Sequence, residues 1–197
     1  PNHIDEDNCR FTGSNEIIKL IEKVMKSSHL SVVEHVNFVF AIEGASRANI
    51  QQLLRHRHIS PSMQSMRYVE FKEDLGELIS LSNPDTEEDW EKVFEISEKY
   101  FVNPYKDVDL YTSRSLKNVK SLIGYLEEIK LGAKAEDARG CLGLSFKTNL
   151  VITLNLRTLI EICGLRLCLH AQEEIRELVA EMKYLALKNN KWLAEFL

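Results

Sequence analysis

Arg55, His56, Arg57 and His58 open the stretch RHRHISPSMQSMRY, which carries three arginines and two histidines and no carboxylate. A planar guanidinium fork takes phosphate oxygens in pairs. The serines, glutamine and tyrosine between the arginines belong to a shaped pocket rather than to a lysine-rich solvated tail. The pattern extends beyond this stretch. No acid occurs between Glu43 and Glu70, where Arg47, Arg55, Arg57 and Arg67 stand, and none between Asp137 and Glu161, where Arg139, Lys147 and Arg157 stand. Two acid-free, arginine-bearing segments are suited to converge on one multiply charged anion. Chance clustering on a solvated face explains the charge alone equally well.

Other chemistries fit less well. Neither G-x-G-x-x-G nor G-x-x-x-x-G-K-[ST] occurs, so side chains must hold any phosphate. His56-x-His58 has the spacing of a metal pair, but its flanking arginines repel a cation and no carboxylate is near, so no metal is expected. Ser65 lacks a neighbouring His-Asp relay, which a serine nucleophile needs. A histidine phosphotransferase loop needs glycine where Arg57 stands. The net charge of -5 argues against a nucleic-acid coat, and no run is long enough to span a bilayer. Cys9, Cys141, Cys163 and Cys168 show no C-x-x-C spacing, and the last three sit among apolar residues. They read as reduced, buried thiols of a cytoplasmic protein.

The elements that must position these residues follow from periodicity. Ile17, Leu20, Ile21 and Val24 predict a helix over Asn15–Lys26 capped by Ser14. Alternation of Val36, Phe38, Phe40 and Ile42 predicts a strand ending near Gly44. Ser46 caps a helix over RANIQQLLRH, and MRYVEF suits a second strand. Trp90, Val93, Phe94, Ser97 and Phe101 mark one helix face; Leu116, Val119, Ile123, Leu126 and Ile129 mark another. KTNLVITLNL is a strand leading into a helix from Leu156, followed by a helix whose face holds Ile175, Leu178, Val179, Met182 and Leu185. The expected class is α+β, one antiparallel sheet with segregated helices in a single domain over 1–197. The polar stretch 1–13 reads as a trimmed or disordered start.

Arg55-His56-Arg57, seven residues and then Ser65, continuing into Arg67-Tyr68, resembles the signature of the flavin-dependent thymidylate synthases. Upstream, His29 to His35 resembles the family's H-x-[ST]-P-x-E-H segment, and Glu43 to Ala48 its E-G-x-S-R-A turn. Downstream, Ala138-Arg139, Asn155 to Leu159, Leu165-Arg166, His170 to Gln172 and Glu174 to Arg176 resemble the remaining blocks in order. Together they cover roughly residues 29 to 176.

The resemblance implies reductive methylation of dUMP to dTMP, with methylenetetrahydrofolate giving the carbon and FAD, reduced by NADPH, the hydride. It implies a homotetramer with sites shared between subunits, and neither nucleic acid nor membrane as partner. It assigns Ser31, Arg55, His56, Arg57, Asn155 and Arg157 to FAD, with Glu161 and His170 also at the flavin. It assigns Gln52, Arg55, Gln64, Ser65, Met66, Arg67 and Arg139 to dUMP. Arg166 would face the pyrimidine and promote ionisation at its N3. Met63 stands where the family has Glu or Gln touching both ligands, and Glu161 where Asn or His is usual. Val32 and Gly143 replace prolines. These departures also fit a homologue that binds nucleotide or flavin without turnover.

Plainer readings stand beside several roles. Asn155 fits an N-cap and Ser31-x-x-Glu34 a capping box. Arg166 fits a snorkelling arginine, or one paired to Glu161 or Glu173. His170, placed four residues after Arg166 on a helix, fits either core or flavin contact.

Overall fold

Strict alternation in KTNLVITLN sends Thr148, Leu150, Ile152 and Leu154 to one buried side, and this strand is the centre of the only sheet among the described residues. The computed structural model describes residues 14–65, 71 and 73–197. In chain order, α1 (Ser14–Lys26) precedes a 3-10 turn at Val32–His35 and β1 (Asn37–Ser46). Then come α2 (Arg47–Leu53), β2 (Ile59–Met63), α3 (Leu75–Ser80), α4 (Glu87–Tyr100), α5 (Val108–Lys130) and α6 (Ala135–Ala138). β3 (Lys147–Asn155), α7 (Leu156–Arg166) and α8 (Glu173–Asn189) complete the order.

The strand order is β1-β3-β2. Leu156 N–H donates to Val36 O at 2.8 Å and Arg47 N–H to Phe146 O at 3.0 Å. Residue numbers thus rise along β1 as they fall along β3, and the pair is antiparallel. The class is α+β, as the sequence predicts.

The residues cluster into two compact units. One comprises the described residues within 40–56 and 60–152. Its core joins Leu78, Leu81, Val93, Phe101, Val119, Leu122, Ile123 and Phe146, of which Val93, Phe101, Val119 and Ile123 belong to the two helix faces read from the sequence. Each such side chain contributes roughly 1.5–3 kcal/mol on burial. Thr86 and Asp89 form a full capping box at the start of α4. Buried Asn118 donates to Ser97 Oγ at 3.0 Å and accepts from Ser145 Oγ at 2.9 Å, tying α4, α5 and the chain before β3 together. The Phe71 ring meets Tyr100, Tyr125 and Phe146 edge-on.

The other unit comprises, among the described residues, 14–39, 57–59 and 153–197. α7 packs on α8 through Leu159, Ile162, Ile175, Val179 and Met182, all buried. Leu185 departs from the predicted face. It is 41% exposed, and Ala186 takes the inward position, because the 3.6-residue period drifts past Leu185 by the end of the helix.

Several boundaries differ from expectation. β1 runs past Gly44 to Ser46, since glycine there accepts φ +69 without ending the strand. The predicted helix over 47–56 stops at Leu53, leaving Arg55 and His56 in a turn. The predicted strand MRYVEF falls at 66–70 outside the described residues, and Phe71 lies in no regular element. β2 and α3 have no counterpart in the sequence reading. No helix among the described residues is long and apolar enough to cross a membrane.

Candidate functional site

Two strand–helix junctions and one arginine-rich turn carry the candidate residues. At the first junction, β3 passes into α7 at Asn155. Its side-chain oxygen accepts from Thr158 N–H at 2.9 Å, so the N-cap reading holds. That bond uses the carbonyl oxygen of Asn155 and none of its amide N–H donors. The first turn of α7 has no acidic residue, and Arg157 projects from it. The Arg157 Nη1 donates to Glu34 Oε1 at 2.6 Å, and its Nε lies 3.7 Å from Glu161 Oε1.

Glu34 belongs to the 3-10 turn that follows Ser31. Ser31 makes no side-chain capping bond, so the capping-box alternative is not realised and its hydroxyl stays exposed. The backbone bond from Leu156 to Val36 and the Arg157–Glu34 pair therefore bring Ser31, Asn155, Arg157 and Glu161 to one end of this unit.

α7 ends at Arg166, which is half-buried. The run around it is not a buried apolar helix: Leu165 is 64% and Leu169 85% exposed. His170 lies beyond α7 and before α8, exposed, so it shares no helix face with Arg166. Cys168 is likewise exposed, a correction to the buried-thiol reading, whereas Cys163 is buried and its thiol is pushed up by that burial. The helix stops at Arg166, four residues before His170, and the chain turns to start α8 at Glu173.

At the second junction, β1 passes into α2 at Ser46, whose hydroxyl accepts from Asn49 N–H at 3.0 Å. Arg47 follows, half-buried. Its guanidinium lies below the ordinary arginine value, first from burial and then from the positive charge of Arg139. Arg139 is exposed, and its Nε donates to Glu136 O at 2.9 Å. One arginine of each acid-free window thus lies within electrostatic reach of the other. Gln52, further along α2, is half-buried.

The arginine-rich turn runs from Arg55 to His58. Arg55 and Arg57 are exposed and His56 is half-buried. His58 adopts φ +62, the left-handed region uncommon for a residue with a Cβ, and this turns the chain into β2. Met63 ends β2 at 43% exposure. Gln64 N–H donates to Asn149 O at 2.8 Å, and Gln64 lines a cavity of ≈ 460 Å³ with Glu43, Lys99, Tyr100, Lys147 and Asn149. Ser65 is exposed; Met66 and Arg67 lie outside the described residues.

Sequence reasoning missed Glu34 as the partner of Arg157, although its position in the His29–His35 block marked that segment. It also passed over Arg47, which the acid-free window had flagged. Among the described residues no group of three or more His, Cys, Asp and Glu is placed to hold a metal ion.

These residues fit a flavin dinucleotide on the chemistry of the donor set. The cation Arg157 and the uncharged donors Ser31 and Asn155 suit a flavin dinucleotide in kind, with Glu34 and Glu161 as counter-charges on the same guanidinium.

Residues 2–189 match the family described as thymidylate synthase complementing protein. A flavin-dependent thymidylate synthase of Pyrococcus furiosus is 36% identical over 170 residues, covering 86% of this chain and 62% of that protein. One of Geobacter sulfurreducens is 35% identical over 179 residues, covering 91% and 68%. The chain thus spans 62% of the length of the first of these relatives. Thymidylate synthase X of Helicobacter pylori, solved with FAD and dUMP, superposes with a TM-score of 0.67 at 25% identity, covering 87% of this chain and 77% of that one. A second structure of the flavin-dependent enzyme from that organism, at 23% identity and a TM-score of 0.71, shares the fold over 98% of this chain and 89% of its own. By its ordered motifs, its fold and this match, the chain belongs to the thymidylate synthase complementing protein family.

Proposed function

We propose that this chain forms a flavin-dependent thymidylate synthase that converts dUMP to dTMP, with methylenetetrahydrofolate as carbon donor and NADPH as reductant. The observation that carries the reading is the joining of the Ser31–Glu34 turn to the Asn155–Arg157 helix start. These are two segments that the family resemblance assigns to FAD. When bound, FAD supplies the hydride. Arg55, His56, Arg57, Ser31, Asn155 and Arg157 hold it, the arginines neutralising its phosphates through paired N–H donors. Glu161 and His170 stand at its edge.

The nucleotide phosphate takes Ser65, Arg67 and Arg139, with Gln52, Arg55, Met63, Gln64 and Met66 beside it. Arg166 stabilises negative charge developing on the pyrimidine, a role for a guanidinium held near apolar surface. No serine or cysteine adduct is needed. Ser65 positions phosphate, and the buried thiol of Cys163 is pushed away from its nucleophilic form.

The assembly is a homotetramer built from this one domain type, with sites completed by neighbouring copies. Exposed Leu165 and Leu169 beside Arg166 support this, because solvent-facing leucines flanking a functional residue suit a covering subunit. The protein works in the cytoplasm and binds neither nucleic acid nor membrane.

The test is a dUMP titration of Arg67→Lys and Ser65→Ala, with FAD occupancy read on the same samples. Arg67→Lys keeps the charge but loses the fork, so dUMP binding weakens while flavin stays. Ser65→Ala weakens dUMP less and keeps turnover. Flavin lost in step with dUMP means one undivided site, and abolished turnover with normal dUMP binding in Ser65→Ala defeats the mechanism.

A further inference from the structure

We propose that Glu34 is a positioning residue that aims the Arg157 fork, and that Glu161 is a counter-charge that sets how tightly this subsite takes phosphate. The inference rests on the reading of Arg157 as a cofactor contact. The two carboxylates approach the same guanidinium in different ways. Glu34 accepts from Nη1 at 2.6 Å, a directed, charge-assisted bond. Glu161 stands 3.7 Å from Nε, beyond hydrogen-bond reach, and acts through its field alone.

Arginine offers five N–H donors in a rigid plane. The bond to Glu34 uses one and fixes that plane, leaving both Nη2 protons to a ligand. One guanidinium and two carboxylates sum to a single negative charge, an unfavourable setting for an anion. The subsite must therefore bind by geometry rather than by net charge. Arg157, Glu34 and Glu161 are 44%, 42% and 58% exposed. At such exposure an ion pair adds little to stability, so aiming the fork is the contribution that remains to the pair. Glu34 also ties the segment bearing Ser31 to the helix start bearing Asn155, although 123 positions separate Glu34 from Arg157.

The two glutamates then predict opposite outcomes from the same loss of charge. FAD affinity is measured by flavin-fluorescence titration of the full-length apoprotein, with inorganic pyrophosphate as competitor and thermal melts as the folding control. Glu161→Gln tightens FAD and makes pyrophosphate a better competitor, by roughly three- to tenfold. Glu34→Gln, which removes one negative charge as well, weakens FAD by about tenfold because the fork is no longer held. Glu34→Asp keeps the charge, withdraws the oxygen and also weakens FAD. Tightening of similar size in both glutamine variants reduces the cluster to simple electrostatics and overturns the positioning role. Unchanged affinity in Glu34→Asp overturns it as well. A separate arm protects the distinction: wild-type FAD affinity in Arg157→Met defeats the cofactor reading itself, whatever the glutamates do.

Discussion

Arg47 and Arg139 stand as like charges within one unit, and Arg47 has its guanidinium lowered from the ordinary value by burial first and by Arg139 second. An anion paired with both would offset their repulsion. Arg47→Met is expected to weaken dUMP by about tenfold or more, in line with roughly 1.5–3 kcal/mol for a charge-assisted hydrogen bond. It should also raise the melting temperature of the ligand-free protein. Calorimetric titration and thermal melts with and without dUMP check both. A dUMP affinity equal to wild type separates Arg47 from the nucleotide.

Flavin retention should depend on the turn at Arg55. Arg55→Ala removes one exposed guanidinium from a position outside every helix and strand, so the fold stays and the flavin leaves. The visible absorbance of the purified protein reports occupancy, and circular dichroism reports the fold. Full occupancy in the variant removes Arg55 from the cofactor site.

The carboxylate of Glu73 provides a pH-dependent stability term. Burial on its own would raise it, but hydrogen bonds from Lys99 and Tyr100 outweigh this and hold it below the usual carboxylate range. A lowered folded value contributes stability above the unfolded value of about 4.3, and the contribution fades as pH falls through the folded value. Glu73→Gln should flatten the acid side of the stability curve below about pH 4.3 while lowering stability at neutral pH. Urea unfolding between pH 3 and 7 measures it; an unchanged acid slope refutes the assignment.

Asn118 bridges Ser97 and Ser145 from inside the helical unit. Asn118→Ala strands both hydroxyls and is expected to cost about 1–3 kcal/mol, with no direct effect on flavin occupancy at low temperature. Denaturant unfolding of the two proteins gives the difference.

Much of this was legible from the residues. The alternation of Leu150, Ile152 and Leu154 and the 3.6-residue period of Val93, Ser97 and Phe101 announce their burial directly, because periodicity is a local signal. The caps Ser46 and Asn155 were legible for the same reason. Burial imposed by distant neighbours was not. Cys168 read as buried from the apolar residues around it, yet it lies exposed where the chain leaves α7, as do its neighbours Leu165 and Leu169. β2 hid inside the arginine motif because Ser60, Pro61 and Ser62 carry no strand signal, and pairing with β3 creates it. The Arg157–Glu34 bond spans 123 positions, and no spacing rule reaches that far.

The central placement of β3 sets the tolerance of this chain to insertion and deletion. One strand serves two neighbours, and its last residue is the Asn155 cap. Losing or gaining a single residue between 147 and 155 would turn Leu150, Ile152 and Leu154 outward and rotate Arg157 away from Glu34 in the same event. Folding and ligand binding therefore share one coding frame there. After α5 the situation reverses: Leu131 is 87% exposed, Gly132 adopts φ +94, and a Cβ at Gly132 would meet nothing within 4 Å. Added length at that turn changes neither strand register nor cap, so this chain accepts insertion at 131–134 where β3 accepts none.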